Sequence, residues 1–367
     1  MKILYITPDI TNSGGIARVI SLKTNYLVSA LNYEVSILTV DDSDSDNDSD
    51  FFYEFNPEIQ WFRINKTKKT LLFLWRYMCL IKKTISDKNP DIVIICDAVL
   101  WVFIPWFIKI KKPVIFETHV SIHLKKIKKQ SLLSKLRFET VYFFKRKTFK
   151  KFQKIIFETY GGSKEWNLKN SKVIPNPMSF RGKKNIIIEN KKAIAVCRHS
   201  YEKGIDRLLE VWKRIIQNHP DWTLDIYGQW DTDLVYQNMA NDLQVLGNVT
   251  FFEPRIDIQK GYEQSSILLM TSRSEAFGMV LIEAMNCGLP CIAYDCPIGP
   301  KAIIENNENG FLIEDGNIDL FVEKLEILIE NEDLRLELGK KAKISSEQYA
   351  IETIMQTWTT LFEDLKN

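Results

Sequence analysis

The sequence predicts an α/β protein made of two doubly wound parallel-sheet, Rossmann-like domains. Three observations carry that expectation. The chain has 367 residues, too many for one ordinary core and about right for two domains of ~150–200 residues each. Short apolar runs alternate with helical stretches along the whole length. Several of those runs are apolar throughout rather than at every second residue, as parallel strands buried on both faces require.

The first set of strands is read at 2–7 (KILYIT), 35–40 (VSILTV), 91–96 (DIVIIC), 113–117 (PVIFE) and 154–159 (KIIFET). A second set is read at 193–197 (AIAVC), 223–227 (TLDIY), 249–252 (VTFF), 266–270 (SILLM) and 290–294 (PCIAY). Between the two sets lies VIPNP, residues 173–177. Its two prolines around Asn176 stop helix and strand alike. A polar, lysine-rich segment over 181–192 then reads as a linker. The expected domains are therefore 1–176 and 177–350, with a segment of helical spacing at the end, 351–367.

Composition removes several classes. Hydrophobic residues at 45% and charged residues at 26% are the balance of a soluble globular protein. No apolar run approaches the ~20 residues of a spanning helix. The apolar run at the N-terminus is too short for a signal peptide and lacks a small-residue cleavage site. Cys287, Cys291 and Cys296 cluster without a nearby His and fit no zinc spacing. The six cysteines are expected to be reduced structural thiols in a cytoplasmic protein. The acidic run over 41–50 (DDSDSDNDSD) reads as a solvated loop. Its D-x-D spacing, repeated at Asp231 and Asp233, lacks the rigid frame a metal site needs.

The net charge of +2 hides a split. Residues 1–180 hold 29 Lys+Arg against 17 Asp+Glu, and residues 181–367 hold 20 against 30. Residues 109–154 alone carry 15 cations and two acids, Glu117 and Glu139. Tyr142, Phe143, Phe144, Phe149 and Phe152 are interleaved with them, and the segments 68–83 and 100–107 add Trp and Phe. Basic residues among aromatics suit an anionic membrane surface. A nucleic-acid partner is not expected.

In open α/β sheets, ligands bind beyond the carboxyl ends of the strands. After the first strand come Gly14 and Gly15, ahead of a helix whose N-terminus favours negative charge. This is not G-x-G-x-x-G, and a turn requiring positive φ explains the pair equally well. His119 comes after the strand at 113–117, where side chains face the cleft; His123 is read as structural. Arg198 and Lys203, the latter ahead of Gly204, come after the strand at 193–197 and suit a diphosphate, Arg as a fork and Lys as a point charge. The segment 271–290 carries Glu275 in a turn, Gly278 at an expected helix start, and Glu283 on the helix. Phosphate would meet the free N–H groups there, and sugar hydroxyls would donate to the carboxylates.

Glu275-x7-Glu283 within SRSEAFGMVLIEAMNCGLP resembles the E-x7-E signature of glycosyltransferase family 4, retaining enzymes of GT-B fold. AVCRHSYEKGIDRLLEVW (195–212), VIPNP, CPIGPKAIIENNENGFLI (296–313) and ITPDITNSGGIARV (6–19) resemble the same family, including bacterial cell-surface and capsular polysaccharide enzymes. The resemblance implies two domains facing each other across a cleft, with the C-terminal helix crossing back to the first. The first domain would take the acceptor and the second the nucleotide sugar. Arg198 and Lys203 would neutralise the donor diphosphate. Glu283 would accept from the ribose. Glu275, with backbone N–H groups of Phe277, Gly278, Met279 and Val280, would hold the sugar and β-phosphate. Gly14 and Gly15 would approach the phosphates, and His119 would contact the donor sugar. Cys197 and His199 stand where the family has Gly and Leu or Phe.

The activity implied by the resemblance is that of a retaining hexosyltransferase using a UDP-sugar, with no cofactor and no metal. Its acceptor would be a glycan or a polyprenyl-diphosphate-linked glycan, met at the inner face of the cell membrane. The site is expected to contain no closely paired general acid and base. A nucleotide-sugar epimerase would need such a set. A catalytically silent nucleotide-sugar-binding subunit would not need the full complement Arg198, Lys203, Glu275, Glu283 and His119.

Overall fold

The computed structural model describes residues 1–41, 51–65, 71–96, 101–119, 132–182, 190–230 and 232–366. The acidic run over 42–50, residues 66–70 and 97–100, the basic stretch over 120–131 with His123, the linker core 183–189, and Asp231 lie outside the described residues. The chain divides into two compact units. Unit 1 draws on 1–120, 128–177 and 351–367, and unit 2 on 178–350.

Unit 1 is built from β1 (Lys2–Thr7), α1 (Gly15–Ser29), β2 (Glu34–Asp41), β3 (Gln60–Asn65), α2 (Leu71–Lys88), β4 (Ile92–Cys96), α3 (Ile104–Phe107), β5 (Val114–Thr118), α4 (Leu132–Phe149), β6 (Lys154–Phe157), α5 (Tyr160–Trp166) and β7 (Ser171–Val173). Its sheet has the order β3-β2-β1-β4-β5-β6-β7, and every pair is parallel. Tyr5 stands opposite Ile37 on one side and Ile94 on the other. Every residue of β4 and β5 is buried, which is why these strands read as unbroken apolar runs.

Unit 2 repeats the plan with β8 (Lys192–Val196), α6 (Ile205–Asn218), β9 (Thr223–Tyr227), α7 (Val235–Asp242), β10 (Val249–Phe252), α8 (Ile258–Glu263), β11 (Ile267–Met270), α9 (Met279–Asn286), β12 (Cys291–Tyr294), β13 (Gly310–Ile313), α10 (Ile318–Glu330) and α11 (Glu332–Ser346). The order is β10-β9-β8-β11-β12-β13, again all parallel. α6 buries Ile205, Leu208, Leu209, Val211, Trp212 and Ile215, an apolar stripe of helical period.

The last helix, α12 (Ile351–Lys366), belongs to unit 1. It buries Ile354, Met355, Trp358, Leu361 and Phe362 in the same core as Ile20 and Leu27 of α1. The return of the C-terminal helix to the first domain is thus as expected.

All ten expected strands are present. Three further strands, β3, β7 and β13, escaped the sequence reading, and each lies at the edge of its sheet. β3 and β7 are at most partly buried and need no continuous apolar run, whereas β13 is largely buried but only four residues long. None of the six cysteines is in a disulfide. Among the described residues, no helix is long and apolar enough to cross a membrane.

Candidate functional site

In unit 2 the ends of β8 and β11 bring the expected residues together. Thr271 stands at the end of β11, and its hydroxyl donates to the Gly204 carbonyl at 2.8 Å. Gly204 has φ +67°, and a Cβ there would stand 2.1 Å from the Thr271 oxygen. Only glycine permits both the left-handed backbone and the close approach. This junction sets Lys203 beside the turn that carries Glu275. Lys203 Nζ lies 2.7 Å from Glu275 Oε1, and the Ser272 hydroxyl donates to the same oxygen at 2.7 Å. Burial acts to lower the Lys203 pKa, but Glu275 outweighs it and the net shift is upward. The ammonium is therefore retained.

The pair remains reachable from solvent, with Lys203 19% and Glu275 11% exposed. Arg198 is more open at 60%, with its guanidinium 3.7 Å from Glu202, a loose surface contact. Cys197 packs against the core of unit 2, and burial pushes its thiol up to about 12; it is an inert packing residue. The aromatic rings of Trp230, Tyr236 and Phe251 surround His199.

Gly278 caps α9 with φ +107°, again a glycine conformation. No side chain caps the helix and no acid stands in its first turn. The N–H groups of Met279 and Val280 thus open the helix beside Phe277, which is itself buried. Glu283 does not flank this terminus as an open carboxylate. α9 is buried from Leu281 to Asn286, so Glu283 accepts from the Ser179 hydroxyl at 2.5 Å and from the Tyr262 hydroxyl at 3.0 Å. A buried carboxylate requires such partners.

Sequence reasoning missed the bidentate pair between Arg273 and Asp206, with contacts of 2.8 and 2.5 Å. It also missed the stacking of Arg273 on Tyr201 at 4.1 Å. Together they brace the turn that carries Lys203. Asp206 in the first turn of the helix after Lys203-Gly204 was the available signal.

In unit 1, Gly14 has φ −73° and caps α1, so no positive-φ turn explains the glycine pair. Its N–H donates to Asn12 Oδ1 at 2.8 Å. Around a Cβ on Gly15 there would be open space.

His119 follows the end of β5, and its side chain is 3% exposed. Nδ1 lies 2.7 Å from Glu158 Oε1, and Nε2 lies 3.5 Å from Glu117 Oε1. Burial opposes the charge of His119, yet Glu117 first, then contacts with Cys96 and Glu158, raise its pKa well above the ordinary value.

Cys96, Glu117 and His119 offer ligand atoms within 4.8 Å of one another. Lys23 Nζ already stands 2.5 Å from Glu117 Oε1, and burial pushes the Cys96 thiol up. A protonated thiol and an ammonium-bound carboxylate are poor metal ligands. Glu158 could have been found from its place at the end of the strand read at 154–159, where ligand-facing residues lie.

Residues 179–345 match the family model described as glycosyl transferases, group 1. This part of the chain is a group 1 glycosyltransferase domain. It contains Arg198, Lys203, Glu275, Gly278 and Glu283. Similarity extends beyond the domain. An uncharacterized glycosyltransferase of Haemophilus influenzae is 29% identical, covering 97% of this chain and 98% of its own length. The amylovoran biosynthesis glycosyltransferase AmsD of Erwinia amylovora is 26% identical, covering 98% of this chain and 99% of its own. Among solved structures, a mutant of S. aureus TarM in complex with Fondaparinux, alpha-GlcNAc-glycerol and UDP superposes with a TM-score of 0.82 at 17% identity. That match covers 98% of this chain and 99% of TarM. The fold is GT-B.

Proposed function

We propose that the chain is a retaining hexosyltransferase. It moves a hexose or N-acetylhexosamine from a UDP-sugar to a glycan or lipid-linked acceptor in surface polysaccharide synthesis. The observation that carries this reading is the Lys203–Glu275 pair, reachable from solvent and next to the uncapped start of α9. The name of the Erwinia relative supports the polysaccharide context, and the UDP in the TarM complex supports the nucleotide.

In this reading Arg198 and Lys203 take the diphosphate. Lys203 then exchanges Glu275 for phosphate oxygens, and Glu275 is released to accept from sugar hydroxyls. The N–H groups of Phe277, Gly278, Met279 and Val280 complete the anion site, and Gly14 and Gly15 are further phosphate contacts. The bond from the anomeric carbon to the phosphate oxygen breaks, and the acceptor oxygen bonds to the same face of that carbon. The departing phosphate takes the acceptor proton. Fixed cations and dipoles stabilise the charge that develops on the leaving group. The reaction so described needs no metal. Glu283, held by Ser179 and Tyr262, is proposed as the ribose acceptor.

The acceptor is proposed to be met at an anionic membrane surface on the inner face of the cell membrane. Trp106, Phe107, Phe143 and Phe144 are exposed. Lys147 lies over the Phe143 ring and Lys151 over Trp106. Trp106 is tied to α4 through Thr148 at 2.7 Å.

The test is a panel of UDP- and GDP-sugars with anionic-vesicle extracts as acceptor, read by nucleotide release and product mass spectrometry. A UDP-sugar should give UDP and a hexosylated product with retained configuration. Turnover only with a GDP-sugar, or binding without turnover, would overturn the reading.

A further inference from the structure

The interior of unit 1 holds four ionisable side chains in one line of contacts. Lys23, on α1, lies 2.5 Å from Glu117 Oε1 and 3.7 Å from the centre of the Trp358 ring on α12. The same Glu117 oxygen is 3.5 Å from His119 Nε2. His119 Nδ1 is 2.7 Å from Glu158 Oε1, which also accepts from Asn176 Nδ2 at 2.5 Å. The side chains of Lys23, Glu117, His119 and Glu158 are all at least nine-tenths buried.

Two features of this line fix the state of the imidazole. The set contains two carboxylates and one ammonium, so it is neutral only when His119 is charged. Nδ1 is hydrogen-bonded to a Glu158 oxygen, and Nε2, which makes no hydrogen bond, lies 3.5 Å from a Glu117 oxygen. A neutral imidazole offers one donor and one acceptor, whereas the imidazolium offers two donors. A buried charge is tolerated only when balanced.

We propose that Glu158 is a positioning residue that, with the Lys23–Glu117 pair, holds His119 at the end of β5 as a fixed imidazolium. His119 is then a permanent positive charge and not a proton acceptor. Asn176, in the Pro-Asn-Pro turn, fixes the orientation of Glu158. The groups that face the ring are Glu117 from β5, Cys96 from β4 and Glu158 after β6, with Lys23 behind Glu117. An effect on turnover rests on the proposed transferase reading, with His119 as a contact of the donor sugar; the state of the ring does not.

The test is NMR of the imidazoles in the full chain, labelled at its four histidines. The His119 signal is assigned by its loss in His119→Gln. Wild-type His119 should keep the imidazolium shift well above the ordinary histidine midpoint. Glu158→Gln should lower its midpoint by about one unit or more with the other three histidines unchanged. Lys23→Met should raise the midpoint, because it removes a cation and leaves Glu117 to His119 alone. A wild-type midpoint near the ordinary ~6.5, or a midpoint unmoved by Glu158→Gln, would overturn the proposal. In nucleotide release, Glu158→Gln should lower kcat by about 10–100-fold, with further loss above its new midpoint. An NMR result as expected with kcat unchanged at every pH would remove the positioning role. The same NMR result with no wild-type turnover on any donor would instead remove the transferase reading.

Discussion

Unit 1 holds a Lys–Glu pair between α1 and β5, unit 2 holds one beyond the carboxyl ends of β8 and β11, and the two pairs differ in exposure. Lys23 and Glu117 in unit 1 are sealed, with side chains 1% and 4% exposed. Lys203 and Glu275 in unit 2 are 19% and 11% exposed. A sealed pair cannot change partners without stranding a charge. A reachable pair can trade its internal partner for an anion from solution. The same two residue types therefore serve as framework in one unit and as a candidate ligand site in the other.

The largest effect that sharpens this contrast is on stability. Lys23→Met removes the nearest partner of Glu117 and the cation over Trp358. It should cost about 3–5 kcal/mol in denaturant unfolding of the purified chain. Lys203→Met should cost about 1 kcal/mol or less, because solvent screens the remaining carboxylate. Equal losses would break the comparison.

The next effect is the pH dependence of stability. The pKa of His119 is raised in the folded chain, so its contribution is fully present below its unfolded value of about 6.5. It is lost as pH rises through the higher folded value. Unfolding midpoints should therefore fall as pH rises above about 6.5 in the wild type, and fall less in His119→Gln. A slope that survives the substitution belongs to another group.

The smallest effect concerns the exposed face of unit 1. Phe143→Ser with Phe144→Ser should weaken co-sedimentation with anionic vesicles and leave unfolding nearly unchanged, since both rings are exposed. Binding to neutral vesicles should be weak in both forms. Unchanged co-sedimentation would place membrane contact elsewhere.

The central strands of both sheets are readable in the sequence because burial on both faces forces apolar runs. β3 (QWFRIN) mixes Gln, Arg and Asn with apolar residues, β7 is three residues long, and β13 begins at a glycine. None carries the pattern that marks β4. In the candidate site, Lys203, Glu275 and Gly278 are legible because a strand end, a turn and a helix start fall within short stretches of chain. The line from Lys23 to Asn176 is not. Lys23 lies in a helix, and its partner is 94 residues away. Glu158 meets His119 across 39 residues. Only the parallel pairing of β4, β5 and β6 brings these side chains together. His119 stands out in the sequence, but its partners do not, for the same reason.

If the reachable pair of unit 2 receives the donor diphosphate, removing its cation must weaken the nucleotide. Calorimetric titration of UDP into wild type and Lys203→Ala measures this, with thermal unfolding of both proteins recorded alongside. UDP should bind the wild type. Lys203→Ala should weaken that binding by about 10–100-fold, the worth of a charge-assisted contact, at a nearly unchanged melting temperature. Equal UDP affinity in the two proteins would contradict the assignment of the diphosphate to this pair.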